Sequence, residues 1–459
     1  MGKKVDLGTG RVGKLLVSLA FPAIIAQLVN VLYNIVDRIF IGRIPNGEIA
    51  MAGVGVAFPI IMLVSAFSAL IGFGGAPLVA MKMGEKDNDG AEKIMSNSFS
   101  TLIIISLVLT VGLMIFRKPI LLAFGASEAT LGYAMDYLTI YLIGTIFVQI
   151  ALGMNPFINT QGFAKIGMIT VAIGAIINIV LDPIFIFGLN MGVRGAALAT
   201  VCGQLVSAIW VLQFLFSKKS ILKIRRKYIL PSIRVIMPVI ALGISPFIMQ
   251  ATESIVLISL NNQLLKYGGD LSVGAMTIMS SVMQIIVLPL MGLTQGAQPI
   301  ISYNFGAGQL ERVKKTFKLL LICCLTYTVS MWAAIMISPE TFVRIFNNKP
   351  ELMEITSWSM RIYFAGILVF GAQVACQQTF LALGQAKVSM VLALLRKIVL
   401  LVPLIFILPI FLKDGLQAVL LAEPIADIGA TLATVSTFII FYKKNLSRTL
   451  SKQNNIEIV

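Results

Sequence analysis

Histidine is absent from this chain of 459 residues. Its absence excludes histidine metal ligands, histidine general bases, and Ser/His or Cys/His nucleophile pairs. Any proton that the protein carries must therefore travel on a carboxylate. The four cysteines lie inside apolar runs, with neither metal-ligand nor disulfide spacing, and we interpret them as small buried hydrophobic residues. They are Cys202, Cys323, Cys324 and Cys376.

Charge is also scarce. Only 12% of the residues are charged, about half the fraction usual in soluble domains, whereas 58% are hydrophobic and the mean hydropathy is +0.93. The net charge of +16 is spread over short loops rather than one face or tail, so we expect no nucleic-acid partner. No nucleophile and base, and no set of metal ligands, are paired inside the apolar runs, so we do not expect an enzyme.

Apolar stretches of roughly 20 residues recur along the chain, each long enough to cross about 30 Å of hydrocarbon. Alternating strand patterning is absent, and in lipid only helices or closed barrels satisfy the backbone. The sequence therefore predicts an all-α integral membrane protein with twelve transmembrane helices. The predicted spans are 15–41, 52–80, 95–116, 131–155, 167–188, 193–216, 235–264, 272–302, 316–338, 360–382, 388–411 and 415–442.

Basic residues lie mainly in the segments on the same side as the N-terminus, above all at 217–234. Cytoplasmic loops carry such an excess of Lys and Arg, so we expect a multi-pass plasma-membrane protein with both termini in the cytoplasm. The short basic start leads straight into the first apolar run, with no small-residue cleavage site. We expect it to be a first span rather than a removed signal peptide.

Two halves of the chain repeat each other at a constant offset of 222 residues. The matched pairs are Gly84 with Gly306, Lys93 with Lys315, Phe124 with Phe346, Tyr141 with Tyr363, Gly144 with Gly366, and the run from Gly162 to Met168 with the run from Gly384 to Met390. Since six spans separate equivalent points, both halves enter the membrane in the same orientation, which is typical of transporters.

The repeat predicts two six-helix lobes related by a pseudo-twofold axis along the membrane normal. We place the N-lobe at 1–216, a basic cytoplasmic linker at 217–234, and the C-lobe at 235–459. The C-lobe ends in a short basic tail.

Charged side chains lie inside the predicted spans, where each costs about 2.5–3.5 kcal/mol if it faces lipid near the bilayer centre. They must therefore face the protein interior or water. Among these charged residues are the acids Asp37, Asp182, Glu253, Glu423 and Asp427 and the bases Arg396 and Lys397.

Four polar residues of the N-lobe fall at one predicted depth, near the outer ends of spans one, five and six. They are Asp37, Asn178, Asp182 and Thr200. They offer only carboxylate, amide and hydroxyl oxygens, which suit a hard cation such as Na⁺. A buried carboxylate pair could equally accept a proton. Alternatively, Asp182 caps a helix broken at Pro183 while Asp37 makes a structural hydrogen bond.

The C-lobe offers a different set of buried charges. Arg396 and Asp427 lie near mid-depth and are expected to pair, with Glu423 one turn away; a structural role is favoured over a latch or a substrate site. Glu253, with Gln250 a turn earlier, has no basic neighbour in its own span and could contact a cationic substrate. In span one, Pro22 must kink the helix, so it is a candidate gate.

Several motifs resemble those of the multidrug and toxic compound extrusion (MATE) family, over residues 14–444. They are Asn178-Ile-Val-Leu-Asp182-Pro183-Ile-Phe-Ile-Phe-Gly188 with Gly195-Ala-Ala-Leu-Ala-Thr200, Pro22 with Asp37-Arg-Ile-Phe-Ile-Gly42, and Pro289-Leu-Met-Gly292-Leu-Thr-Gln-Gly296-Ala-Gln-Pro299 with Tyr303-Asn304-Phe-Gly306-Ala-Gly308. Within this family the chain is similar to bacterial drug-efflux members.

The resemblance implies two lobes forming a V and export of amphipathic organic cations by Na⁺ or H⁺ antiport. The implied ion ligands are the four polar N-lobe residues above, with the Ala196 carbonyl. The family's other arrangement uses acids in spans seven and ten; Glu253 could serve in span seven, but 360–382 contains no acid. We expect no cofactor beyond the coupling ion, and a monomer in contact with membrane lipids.

The alternative function is a flippase for lipid-linked saccharide precursors, which shares the twelve-helix layout within the wider superfamily. Such a protein is expected to line its cavity with basic residues that hold pyrophosphate. Arg396 and Lys397 are the candidates for that role in this sequence.

Overall fold

A computed structural model describes residues 6–346 and 349–447. Within these ranges the chain forms helices and short connections, with no strand. The predicted basic C-terminal tail, beyond residue 447, lies outside the described residues.

Eleven helices of the described residues are long and apolar enough to cross a membrane, and the bent pair Glu128–Ile143 and Thr145–Thr160 makes twelve, the predicted number, if it forms one span. Their bounds fix the element names used below. They are α1 Val12–Gly42, α2 Gly47–Gly84, α3 Asn88–Ala123, α4 Glu128–Ile143 with Thr145–Thr160, α5 Ala164–Gly188, α6 Val193–Phe216, α7 Ile233–Gly269, α8 Leu271–Gly306, α9 Leu310–Ile337, α10 Pro350–Ala382, α11 Ala386–Phe411 and α12 Gly415–Asn445. A short helix, Pro339–Arg344, lies between α9 and α10.

Polar side chains cap the N-termini of several of these helices, outside the apolar segments. Asp87 accepts a hydrogen bond from the Gly90 N–H at 2.9 Å at the start of α3, and Asp414 accepts one from the Gln417 N–H at 3.1 Å at the start of α12. Such side chains satisfy the free N–H groups of a first helical turn. The Gly90 N–H, helped by Lys82, holds the pKa of Asp87 below its usual value.

The fourth span is bent by 59° between its two parts. Gly144 lies at the bend, and a Cβ added there would lie only 2.4 Å from Val201 of α6. Its repeat partner Gly366 occupies a 3₁₀ turn inside α10, and a Cβ there would lie 2.8 Å from Asp427 of α12. In each lobe the sixth helix packs against the fourth at this point, which explains why both halves have a glycine here.

The predicted pseudo-twofold relation is visible where the lobes meet. A Cβ on Gly84 of α2 would lie 2.0 Å from the Tyr303 carbonyl oxygen of α8, and a Cβ on Gly306 would lie 2.1 Å from the Met81 carbonyl oxygen of α2. Tyr303 and Met81 are themselves 222 positions apart. Reciprocal contacts of this kind are what a twofold axis produces.

Other close approaches between the lobes occur in the same half of the molecule. Gly74 of α2 packs against Val239 of α7, and Gly296 of α8 packs against Ala20 of α1. Small residues let helix backbones approach closely in membranes. These contacts involve the starts of α1 and α7 and the ends of α2 and α8, so the closest interlobe contacts lie at the end that carries the N-terminus and the linker.

Replacing Gly243 of α7 with Ala should push the lobes apart at this interface. The new Cβ would lie 1.7 Å from the Leu70 carbonyl oxygen, a backbone atom that no side-chain rotation can move. We expect a loss of about 1–3 kcal/mol of stability, as for other overpacked positions, read as a lower thermal midpoint of the purified protein. The matched control is Gly112→Ala, where nothing lies within 4 Å. Equal midpoints for the two variants would contradict this view of the interface.

Two segments cross between the lobes at this same end of the molecule. The Arg312 guanidinium donates to the Leu7 and Gly10 carbonyls at 3.1 and 2.8 Å, so the segment before α1 is held by the C-lobe. In the linker, the Arg225 Nε donates to Glu92 of α3 at 2.6 Å. The segment before α7 is therefore held by the N-lobe.

Candidate functional site

The N-lobe candidates lie where α5 and α6 come unusually close. A Cβ on Gly203 of α6 would lie 2.6 Å from the Gly174 carbonyl oxygen of α5. This approach sets Asn178 of α5 opposite Thr200 of α6. The Asn178 Nδ2 lies 3.3 Å from the Thr200 Oγ1. Asn178 and Thr200 are both buried.

The structure also brings the two predicted acids to this point. Asp182 follows Asn178 by one turn and accepts from its Nδ2 at 3.4 Å. Asp37 of α1 is buried and close enough to interact electrostatically with Asp182. Ala196, one turn before Thr200, is fully buried.

Three buried oxygen atoms of this group have no hydrogen-bond partner. They are the Asp37 Oδ1, the Asn178 Oδ1 and the Asp182 Oδ2. A buried acceptor without a partner is costly, so such atoms require an explanation. All three accept rather than donate, and therefore a bound cation or a proton would satisfy them.

The ligand types narrow the choice of cation. The group contains oxygen donors and no sulfur or nitrogen ligand, which suits a hard ion. Among the described residues no three His, Cys, Asp or Glu side chains come together as a metal site. Two carboxylates with an amide and a hydroxyl therefore fit a monovalent ion or a proton better than a transition metal.

The structural alternative for Asp182 was a helix cap, and its contacts differ from that expectation. The Asp182 Oδ1 accepts from the Asn178 side chain, and the Oδ2 has no partner, so neither oxygen caps a backbone N–H. The α-helical part of α5 ends at Pro183 and continues as a π-helical turn, Ile184–Gly188. Such turns are frequent at functional sites.

Sequence reasoning missed one further side chain beside the N-lobe group. The Tyr137 side chain of α4 lies beside Thr200, and Tyr137 also interacts electrostatically with Asp37. The residue lies inside an apolar run, and the available signal was only its position on a helix that packs against α6. Tyr137 thus connects the group to α4.

Pro22 lies inside α1, which remains a single helix from Val12 to Gly42. Pro22 is buried and lies two residues after Ala20, which packs against Gly296 of α8. Asp37 lies 15 positions further along, about 22 Å at 1.5 Å per residue. A gating role for Pro22 would therefore require α1 to carry the signal along its length.

The C-lobe contains the expected pair of Arg396 and Asp427. The Arg396 Nε and Nη2 both lie 2.8 Å from the Asp427 Oδ1. The Nη2 also lies 3.3 Å from the Glu423 Oε1, and the guanidinium stacks over the Phe370 ring at 4.8 Å. This arginine is thus held from α10 and α12 together.

Glu253 has a partner that its own span did not reveal. The Lys397 Nζ of α11 lies 2.8 Å from the Glu253 Oε2 of α7. Arg396 and Lys397 both lie in a π-helical stretch of α11, Leu395–Leu401, and both are buried. Gln250, the other substrate candidate of α7, is half-buried.

The tenth span begins ten residues earlier than the predicted 360. This extension adds two acids, Glu351 and Glu354, which the prediction had left outside the span. Both are exposed and lie near the start of α10. They remain outside the buried C-lobe charges, so the extension supplies no second acid to pair with Glu253.

Comparisons with known proteins agree on one family. The family model MatE matches residues 22–184 and 246–407, once in each half of the chain. The multidrug export protein MepA of Staphylococcus haemolyticus is 26% identical over 97% of this chain and 96% of its own.

Solved structures of MATE transporters are also similar to this chain. The chain is similar to the MATE multidrug transporter DinF-BH, solved as a complex, with 34% identity, a TM-score of 0.88, and coverage of 97% of this chain and 99% of that one. It is also similar to a crystal structure of MATE in the bent conformation, with 22% identity, a TM-score of 0.90, and coverage of 97% and 99%.

Proposed function

This chain belongs to the MATE family, and on that premise we propose that it is a secondary active exporter of amphipathic organic cations, driven by antiport of Na⁺ or H⁺. The names of its relatives support the export of drugs: one is a multidrug export protein, and another is a multidrug transporter. The observation that carries the coupling proposal is the set of three unpartnered oxygens in the N-lobe.

The coupling needs only a modest energy. An ion that binds Asp37, Asn178, Asp182 and Thr200 better in one state of the transporter shifts the population toward that state. A coupling of about 1–3 kcal/mol between ion and drug is sufficient for alternating access. In this proposal the external cation binds the N-lobe, shifts α1 around Pro22, and lowers the affinity for drug.

The arrangement of the lobes supports an order of events. The closest interlobe contacts lie at the end with the N-terminus and the linker, and the basic linker favours a cytoplasmic position for that end. We therefore propose that the conformation described here opens away from the cytoplasm. In this state, drug leaves to the outside and the external ion enters.

The flippase alternative requires basic side chains that are free to bind pyrophosphate. Arg396 and Lys397 are instead paired with Asp427, Glu423 and Glu253. The contacts of these two residues therefore favour the drug exporter.

Ethidium accumulation in cells that lack their own efflux pumps tests the proposal. Cells that express the chain should accumulate less dye than cells with an empty vector, and an uncoupler that collapses ion gradients should abolish the difference. Rescue of an envelope-polysaccharide defect without any effect on dye would contradict the exporter and support the flippase.

A further inference from the structure

Five charged residues of the C-lobe do not balance. Glu253, Arg396, Lys397, Glu423 and Asp427 form what we call the C-lobe charge cluster, and each interacts electrostatically with others of the set. Three are acids and two are bases. With every member ionised the cluster carries one surplus negative charge, which is costly inside a membrane protein unless a cation or proton neutralises it.

The hydrogen bonds show which of the three acids has no base of its own. Arg396 makes two contacts to Asp427 and one weaker contact to Glu423. Lys397 contacts Glu253. The Glu423 Oε2 is buried and has no partner, so one carboxylate oxygen of the cluster accepts no hydrogen bond.

Glu253 is the most exposed member of the C-lobe charge cluster. The Glu253 side chain is 63% exposed, whereas the Lys397 side chain is 7% exposed and the Glu423 side chain is 4% exposed. Tyr363 of α10, also buried, is the further titratable group that interacts with Glu253, Glu423 and Asp427. An incoming cation would therefore meet Glu253 before any other charge of the cluster.

We propose that Glu253 binds the cationic headgroup of the exported molecule, and that this cation displaces the Lys397 ammonium, which transfers to the unused Glu423 Oε2. Lys397 and Glu423 already interact electrostatically, and a lysine ammonium on its flexible stem can change partner. The proposal rests on the function proposed above and deepens it, because it assigns the substrate contact.

The exchange explains why the cluster keeps an unbalanced charge. A monovalent cation at Glu253 makes the occupied cluster neutral, and the buried lysine stays paired before and after binding. Truncating one partner of a buried pair is otherwise strongly destabilising. The site therefore selects molecules with one positive charge.

Binding of tetraphenylphosphonium to purified protein at fixed pH tests this exchange, because the probe is a permanent monovalent cation. The surplus negative charge is one in the wild type, zero in Glu253→Gln and in Glu423→Gln, and two in Lys397→Gln. It returns to one in the double variant Lys397→Gln with Glu423→Gln. Equilibrium dialysis gives the dissociation constant of each, and thermal midpoints report folding.

We expect Glu253→Gln and Glu423→Gln to weaken binding by about tenfold or more, as for loss of a charged partner. The loss in Glu423→Gln is diagnostic because this buried side chain does not meet the ligand. Lys397→Gln should bind more tightly than the wild type, since no ammonium must be displaced. The double variant should recover at least the wild-type affinity. If Lys397→Gln alone folds poorly, the double variant tests the same loss of the ammonium.

A matched control is Glu351→Gln, which removes the same charge from an exposed position outside the cluster, and its affinity should equal that of the wild type. Wild-type affinity in Glu423→Gln, or weaker binding in a well-folded double variant, would overturn the exchange.

Binding of tetraphenylborate that depends on Lys397 would show an anion site instead. If the wild type exports cations but the variants do not follow this order, the exchange alone fails; if it neither binds nor exports any cation, the proposed function fails.

Discussion

Replacing Asp37 with Asn should abolish dye extrusion while leaving the amount of folded protein in the membrane unchanged. Asparagine has nearly the same shape as aspartate but lacks the charge that attracts a cation and cannot take up a proton. Because the Asp37 Oδ1 has no partner in this structure, the substitution breaks no hydrogen bond of that atom. Loss of a coupling of about 1–3 kcal/mol corresponds to about 5–150-fold, which dye efflux from whole cells resolves easily.

The matched control for Asp37→Asn is Asp136→Asn. Asp136 makes an exposed ion pair with Arg194 at 2.9 Å, and such pairs contribute little to stability. Its extrusion activity should equal that of the wild type. Two outcomes would refute the role given to Asp37: wild-type extrusion by Asp37→Asn, or aggregation of that variant, which would indicate a structural role.

Arg396→Met should cause the largest loss of stability of any substitution considered. It leaves Asp427 and Glu423 buried without the guanidinium that both contact. Removing one partner of a buried ion pair costs about 3–5 kcal/mol. We expect little folded protein in detergent extracts, measured by size-exclusion chromatography and by the thermal midpoint of any material that survives.

Two further variants make the Arg396 result interpretable. Arg194→Met removes an exposed arginine and should leave the thermal midpoint unchanged within about 1 kcal/mol of stability. Combining Arg396→Met with Asp427→Asn and Glu423→Gln removes the stranded charges and should restore much of the folded protein. If Arg396→Met alone is as stable as Arg194→Met, the pair does not hold the C-lobe together.

The twelve helices could be predicted because long apolar runs in a membrane have few alternatives to a helix. Their ends were less predictable. The third span was expected at 95–116, whereas α3 extends over Asn88–Ala123. Asp87 caps the early start outside the apolar run, so hydropathy alone could not locate it.

Some contacts between helices followed from periodicity and depth. Asn178 and Asp182 lie four positions apart, which places them on one helix face, and Thr200 was expected at their level. The Asn178 contacts to both are present. Whether these residues bind the coupling ion stays a prediction.

The Lys397–Glu253 pair was not predicted from the sequence because the two residues lie on different helices, 144 positions apart. A signal was nevertheless present. Lys397 is a second base in a span that already contains Arg396, and a buried base needs an acid. Glu253 and Glu423 were the intramembrane acids of the C-lobe without an assigned partner, so Lys397 could be expected to pair with one of them.

The reciprocal glycine contacts between the lobes could not be predicted from the repeat alone. The matched glycines Gly84 and Gly306 indicated a shared requirement, but not that each would pack against the other's helix. A repeat shows that two segments share a structure, whereas contact between them depends on how the lobes are arranged.

Dye efflux from proteoliposomes, with a Na⁺ gradient and a pH gradient imposed separately, tests most directly whether the N-lobe oxygens couple a monovalent cation to export. We expect one of the two gradients to drive efflux by the wild type and neither to drive efflux by Asp37→Asn. Efflux by Asp37→Asn at the wild-type rate under the effective gradient would contradict this expectation.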